Sequence, residues 1–226
     1  MLSTSFLGSR RYAVAGLSLA AVLTVWAGPS GFSTSISAVL VGQYVLRFGQ
    51  AAQERLLGWQ RFLKVLGTEA QAERESALLA TVNRYFNRVR FLSDYEHWGV
   101  EDYWATPAEF VANDGGYCED FSIAKYFALK ELGVSIVHLR ITYVKSSKLK
   151  QAHMVLAYYP TPRAEPLILD NLDDEVRPAS QRPDLIPVYS FNDEDVMIPG
   201  RGSIGSPSQI RLWRELTERL EREART

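Results

Sequence analysis

Apolar residues recur at three- and four-residue intervals over residues 36–66, and again over residues 68–89, with Gln, Glu and Arg between them. This spacing predicts amphipathic helices, because residues three and four apart lie on the same face of a helix. The second stretch opens with Thr68-Glu69-Ala70-Gln71, which fits a capping box at a helix start. We therefore expect the amino-terminal part of the domain to be helical.

The middle of the chain loses this regular spacing and then regains it. Residues 91–113 mix aromatic and turn-forming residues, which predicts a loop with one or two helical turns, and Pro107 suits the first turn of a short helix. Residues 118–132 again show helical spacing, and Gly133 follows as a carboxyl-terminal cap would. The pattern thus predicts a largely buried helix that begins at Cys118.

Strand-like segments follow at residues 135–144, 153–159 and 167–170. Residues 171–208 are rich in Pro, Gly, Ser and Asp, so we expect an ordered or semi-ordered loop there, with a candidate strand near Val188-Tyr189-Ser190-Phe191. A last helix is predicted over residues 207–224. The predicted fold class is α+β, with amino-terminal helices and an antiparallel sheet packed on the helix that carries the cysteine.

The amino end has the features of an export signal. Arg10-Arg11 precedes an apolar run over residues 12–27, shorter than the roughly 20 residues that span a bilayer. Val25 and Ala27 are tolerable −3 and −1 residues for signal peptidase. We expect residues 1–27 to be a signal peptide cleaved after Ala27, with an uncleaved inner-membrane anchor as the alternative, and residues 28–226 to form a single periplasmic domain.

Composition narrows the classes of function. The chain has 226 residues, of which 46% are hydrophobic, enough for one domain with a sizeable core. Its formal net charge of −1 provides no basic field for a phosphate backbone, which argues against nucleic acid as a partner. Cys118 is the only cysteine. Because cysteines of exported proteins usually form disulfides, a solitary one indicates a chemical role.

Cys118 has the position of an activated nucleophile. Gly115-Gly116 leads directly into the predicted helix, and the partial positive charge at a helix start lowers the pKa of a thiol. The alternative is a small, buried hydrophobic residue. The backbone N–H of Cys118, unpaired at a helix start, could bind a tetrahedral oxyanion. The indole N–H of Trp104 is a candidate second donor, unless Trp104 is simply a core aromatic residue.

A cysteine nucleophile needs a general base, and the chain has three histidines. His138 lies within a predicted strand, where a structural role is expected. His97 lies in the aromatic loop and has no obvious orienting partner. His153 begins a predicted strand and is the remaining candidate.

A hairpin supplies an orienting acid for His153. If Pro160-Thr161-Pro162-Arg163 is the turn, His153 and Asp170 lie directly opposite each other. Opposed residues have Cβ atoms about 4.5 to 5.5 Å apart and side chains on one face. The sequence therefore predicts a Cys118, His153 and Asp170 triad.

Several motifs resemble those of the bacterial transglutaminase-like cysteine proteinases, the LapG-type periplasmic proteases. The resemblance extends from about residue 44 to beyond residue 192. The motifs are Asp102-Tyr103-Trp104-Ala105-Thr106-Pro107, Gly115-Gly116-x-Cys118-Glu119-Asp120-Phe121, His153-Met154-Val155-Leu156 and Leu169-Asp170-Asn171-Leu172.

This resemblance implies a papain/transglutaminase-like core with Cys118 as nucleophile, His153 as base and Asp170 as orienting acid. The implied substrate is a large, repeat-containing surface adhesin, cut near its amino terminus to release it and disperse biofilm. The implied partner is an inner-membrane receptor of the LapD type, which sequesters the protease when it binds cyclic di-GMP.

The resemblance also implies a calcium site, formed in the family by an Asp just before the cysteine and a Glu just after it. Here Tyr117 stands in place of that Asp. A phenol is a poor ligand for a cation that prefers six to eight oxygens. Glu119 and Asp120 remain as candidate ligands, with Asp114 nearby in sequence, so a rearranged or weaker site is one expectation. The other is that both carboxylates only complement the positive end of the helix.

Two other functions share this triad and fold. Transglutaminase or amidase chemistry would result if the acyl group passed to an amine instead of water. A binding module without catalysis would result if Tyr117 disrupted the site. The intact Cys118, His153 and Asp170 argue against the binding module. A cysteine protease is the leading interpretation, and the sequence leaves open whether water or an amine accepts the acyl group.

Overall fold

The computed structural model describes residues 36–67 and 75–226, which fold into α-helices and β-strands. The α-helices of this part are α1 (Ala38–Phe48), α2 (Ala51–Gly67), α3 (Glu75–Phe86), α4 (Asp94–Trp98), α5 (Pro107–Asn113), α6 (Cys118–Glu131) and α7 (Arg211–Ala224). The strands are β1 (Arg90–Phe91), β2 (Gly115–Gly116), β3 (Leu139–Ser146), β4 (Gln151–Tyr158), β5 (Leu167–Asp170), β6 (Asp173–Pro178), β7 (Leu185–Phe191), β8 (Val196–Ile198) and β9 (Gly202–Gly205).

Seven of these strands form one antiparallel sheet in the order β6-β5-β4-β3-β7-β8-β9. Alternate residues of β4 enter two apolar clusters, as the period of a strand requires. Met154 and Leu156 join the main core with α6, whereas Val155 and Ala157 join a small second cluster. The α+β fold predicted from the sequence is therefore confirmed.

The helix α6 lies at the centre of the core, and all its residues from Cys118 to Leu129 are buried. Helix α3 and strands β3 and β4 pack against it. Helix α7 closes the core through Trp213, whose ring stacks on that of Phe127 at 5.8 Å and meets that of Phe191 edge-on at 5.2 Å. The cysteine-bearing helix is thus held on several sides, which fixes the position of its first turn.

The helical predictions largely hold. Helices α1, α2 and α3 lie within the predicted amino-terminal stretches, and α6 and α7 lie where the sequence predicts them. The loop at residues 91–113 contains two short helices, α4 and α5, each with a capping box, and Pro107 begins α5 as expected. The capping box predicted at Thr68 and the signal peptide predicted at residues 1–27 lie outside the described residues.

Two predictions about residues 135–208 are wrong. His138 is not in a strand, because residues Ile136–His138 form a 3₁₀ turn and β3 begins only at Leu139. Residues 171–208 are not mainly a loop, because they contain four strands, β6 to β9; of these, β7 confirms the strand predicted near residues 188–191. Strands β6 and β9 consist mostly of polar residues or glycine, and β8 has only three residues, so backbone pairing within the sheet forms them without an apolar alternation that the sequence could reveal.

The described residues all belong to one compact unit. Within this part of the chain, we find no helix with the length and apolarity needed to cross a bilayer.

Candidate active site

The start of α6 is fixed by Asp120, the third residue of the helix. Its Oδ2 accepts the Tyr117 N–H at 3.0 Å, and its Oδ1 accepts the Ala105 N–H at 2.7 Å. A Cβ atom at Gly116 would lie 2.4 Å from that Oδ2, so only glycine fits there. The glycine turn and Asp120 together fix the backbone on either side of Cys118.

Cys118 is the first residue of α6 and is 5% exposed. Its Sγ lies 3.2 Å from Glu119 Oε2 and also accepts a hydrogen bond from the Met154 N–H. Burial and the neighbouring Glu119 raise the thiol pKa well above its ordinary value. The expected lowering by the helix start is therefore wrong for this arrangement, because desolvation and a nearby carboxylate outweigh the partial charge of the helix.

His153 and Asp170 form a buried pair. His153 Nε2 lies 2.8 Å from Asp170 Oδ1, and this oxygen also accepts the Leu172 N–H at 3.0 Å. Burial would raise the Asp170 pKa, but the hydrogen bonds from His153, Leu172 and Arg182 outweigh it and hold the pKa well below its usual range. Asp170 is therefore a carboxylate that orients the imidazole, and Nδ1 is the ring nitrogen not used by this pair.

The strand register that makes this pair differs from the predicted one. Leu156 pairs with Leu169, so the ladder is shifted by two residues and His153 is not directly opposite Asp170. The connection between β4 and β5 is longer than the predicted turn, which causes the shift. A shift by two keeps both side chains on one face, and diagonal neighbours remain within reach.

Asp94 joins Glu119 and Asp120 in a buried acidic cluster that the sequence analysis missed. One carboxylate oxygen from each lies within 4.8 Å of the others. The sequence does contain a sign of Asp94, since it follows Ser93 in the Ser93–Glu96 capping box of α4. Asp114 lies elsewhere, at the end of α5.

The cluster has the character of a cation site. Asp94 Oδ1 and Glu119 Oε1 are buried and have no hydrogen-bond partner among the described residues. Burial is the main cause that raises the pKa of Asp94, Glu119 and Asp120. Repulsion by neighbouring carboxylates adds to it: Asp120 and Asp94 act on Glu119, and Asp94 acts on Asp120. Calcium prefers oxygen ligands, and buried carboxylate oxygens without hydrogen-bond partners would gain from binding it.

Tyr117 stands apart from this cluster. Its hydroxyl accepts a hydrogen bond from Gln151 Nε2 at 2.9 Å, and its ring lies 5.1 Å from that of Phe91. The residue that replaces the family's Asp therefore packs beside the cysteine and leaves the acidic cluster to Asp94, Glu119 and Asp120.

The remaining candidates have other partners. The side chain of Trp104 hydrogen-bonds to Asp102, and its ring stacks on that of Phe191 at 5.8 Å. His97 Nε2 lies 2.7 Å from Asn113 Nδ2. His138 Nδ1 lies 2.6 Å from the carbonyl oxygen of Tyr159. Of the three histidines, His153 is the one that pairs with a buried carboxylate.

Comparison with known proteins points to one family. A profile of the family described as bacterial transglutaminase-like cysteine proteinase BTLCP matches residues 64–185. The structure resembles that of Legionella pneumophila LapG at 38% identity, covering 82% of this chain and 96% of the other, with a TM-score of 0.70.

Two further structures of that protein are similar. The calcium-bound form matches at 38% identity over 82% of this chain and 99% of the other, with a TM-score of 0.68. The EGTA-treated form matches at 39% identity over 82% and 98%, with a TM-score of 0.71. No sequence among curated proteins matches the chain.

Proposed function

Because the chain belongs to the bacterial transglutaminase-like cysteine proteinases and is a cysteine protease, we propose that it cleaves its substrate with Cys118, His153 and Asp170. The observation that carries this proposal is the buried His153–Asp170 pair, in which His153 lies on β4, the strand packed against α6, and Asp170 lies on β5. His153 directly precedes Met154, whose N–H donates to the Cys118 sulfur. His153 is thus a base with its own orienting acid, and its strand, β4, packs against the helix that carries the nucleophile.

In the proposed mechanism, His153 accepts the thiol proton and Cys118 Sγ attacks the carbonyl carbon of the scissile bond. The Cys118 N–H, in the first turn of α6, has no partner within the helix and stabilises the oxyanion. The imidazolium then gives its proton to the leaving amine, and a thioester remains on Cys118. Water, deprotonated by His153, hydrolyses the thioester and restores the thiol.

We propose calcium as the resident cation of the acidic cluster, held by Asp94, Glu119 and Asp120. Support comes from the two orphaned carboxylate oxygens and from the calcium-bound structure of Legionella pneumophila LapG. When bound, the cation supplies positive charge beside Cys118 and neutralises three desolvated carboxylates.

The proposed substrate is a large, repeat-containing surface adhesin, cut near its amino terminus in the periplasm so that the adhesin is released and biofilm disperses. The proposed partner is an inner-membrane receptor of the LapD type that responds to cyclic di-GMP. Both proposals follow from the family resemblance of the triad motifs, which the family profile over residues 64–185 supports.

Proteolysis tests the proposed function. Purified residues 28–226 are incubated with the amino-terminal region of an adhesin encoded in the same genome, and the products are identified by mass spectrometry. We expect one cut, abolished in Cys118→Ser because a hydroxyl is a far weaker nucleophile than a thiolate. Cleavage that survives this substitution would sink the proposal, and transfer of the acyl group to an added amine would instead indicate a transglutaminase.

Calcium titration tests the proposed cation site. We expect Glu119→Gln to weaken calcium binding by roughly tenfold or more in isothermal titration calorimetry, because it removes a charged ligand from the cluster. Glu221→Gln, an exposed change on α7, is the matched control and should bind like the wild type. Equal calcium affinity of the two variants would contradict calcium binding by the acidic cluster.

A further inference from the structure

Asp170 has a second charged partner besides His153. Arg182 Nη2 donates to Asp170 Oδ2 at 2.8 Å, while Oδ1 faces His153 at 2.8 Å. The Asp170 side chain is 0% exposed, so neither bond is shared with bulk water. Each oxygen of the carboxylate thus has a fixed side-chain donor.

Arg182 is itself held in place. Its Nε donates to Asp184 Oδ1 and its Nη2 to Asp184 Oδ2, both at 3.0 Å. This two-point contact uses the rigid fork of the guanidinium, and the side chain is 11% exposed. The charge of Arg182 therefore lies between two carboxylates in a fixed orientation.

We propose that Arg182 is a positioning residue of the active site, which locks the Asp170 carboxylate so that its Oδ1 holds the His153 ring in the catalytic orientation. The hydrogen-bonded chain runs from His153 through Asp170 and Arg182 to Asp184. This inference rests on the proposed function, because it assigns Arg182 a part in the same reaction.

The physical reason is the freedom of a lone carboxylate. An aspartate with one side-chain partner can rotate about its terminal bond, and its hydrogen bond to the imidazole then weakens. Arg182 occupies Oδ2 and removes this rotation, while the Leu172 N–H supports Oδ1. Hydrogen bonds in a buried network strengthen one another when every polar group in the network has a partner.

Two other roles for Arg182 make different predictions. A purely structural arginine would affect stability but not the His153 ring. A substrate-binding arginine would act through affinity, since Arg182 and His153 both line a cavity of about 180 Å³. Arg177 lines the same cavity but pairs with Asp173 and Glu175, so it provides a matched control.

Steady-state cleavage of the adhesin segment provides the first test. We expect Arg182→Ala to lower kcat on the order of tenfold or more with KM within about twofold, the size of effect that follows loss of a partner orienting a functional imidazole. Guanidinium ion added at millimolar concentration should restore part of that kcat. Arg177→Ala should retain wild-type kcat, and Arg182→Lys should fall between.

The ring protons of ¹⁵N-histidine-labelled protein provide a test that needs no substrate. We expect a solvent-protected Nε2–H resonance that His153→Ala removes, Arg182→Ala shifts or broadens, and Arg177→Ala leaves in place. If Arg182→Ala does not fold, the Arg182→Lys and Asp184→Asn variants should show smaller changes of the same kind.

These readouts separate the two claims. An unchanged resonance together with an unchanged kcat in the Arg182 variants would overturn the inference, as would a rise in KM alone. Failure of the wild type to cleave would overturn the proposed function, while the His153 resonance would still decide whether Arg182 positions the ring.

Discussion

At the scale of single residues, Lys125 shows how strongly burial acts in this core. It lies two turns after Cys118 on α6, is 0% exposed, and its Nζ has no hydrogen-bond partner among the described residues. The nearest compensation is the Phe121 ring, at 5.9 Å. Burial lowers the Lys125 pKa to about 7, although the charges of Asp170 and Asp174 oppose this shift.

Lys125→Met should therefore stabilise the protein, and more at pH 6 than at pH 10. Between the folded pKa of about 7 and the ordinary value of 10.5, the unfolded chain binds more protons than the folded one. Wild-type stability consequently rises with pH across this window, by about 4 kcal/mol relative to the variant. Urea unfolding at both pH values measures the difference, and a gap that does not change with pH would contradict the assignment.

At the scale of elements, a carboxyl group joins three helices. Glu223 of α7 accepts hydrogen bonds from the hydroxyl of Tyr44 in α1 at 2.5 Å and from that of Thr106, the cap of α5, at 2.6 Å. Burial raises the Glu223 pKa from 4.5 to about 7. The junction is thus most stable when this carboxyl group is protonated.

Glu223→Gln should gain stability relative to the wild type as the pH rises from 5 to 8. The folded wild type binds more protons than the unfolded chain between pH 4.5 and about 7, so its stability falls across that window, whereas Gln does not titrate. We expect a change of about 1 to 2 kcal/mol in the difference between the two unfolding free energies. Parallel pH profiles would show that Glu223 does not titrate in this range.

The elements also show where prediction from sequence succeeds. Helix α6 and strand β5 follow from their local apolar residues, because α6 is buried from Cys118 to Leu129 and β5 is buried from Ile168 to Asp170. Strand β6, with the sequence DDEVRP, has no such pattern and exists because β5 pairs with it. The spacing of apolar residues indicates which residues are buried, whereas β6 forms through its hydrogen bonds to β5 and carries no such spacing.

At the scale of the whole molecule, the sequence names the candidate triad residues but does not give their geometry. The His153–Asp170 contact survives a register that differs from the predicted one by two residues, because strand parity is preserved. Asp94 and Arg182 join the site from distant parts of the chain, and no local sequence pattern shows that they lie near the cysteine or the histidine. Their contributions depend on tertiary packing.

The most direct test of the account is the rate at which iodoacetamide alkylates Cys118, the only cysteine in the sequence, at mildly acidic pH with calcium present. If His153 activates the thiol, His153→Ala should react on the order of tenfold more slowly than the wild type. His97→Ala, which removes a histidine bonded to Asn113, should react like the wild type. Equal rates for the wild type and His153→Ala would contradict the assignment of Cys118 and His153 as nucleophile and base.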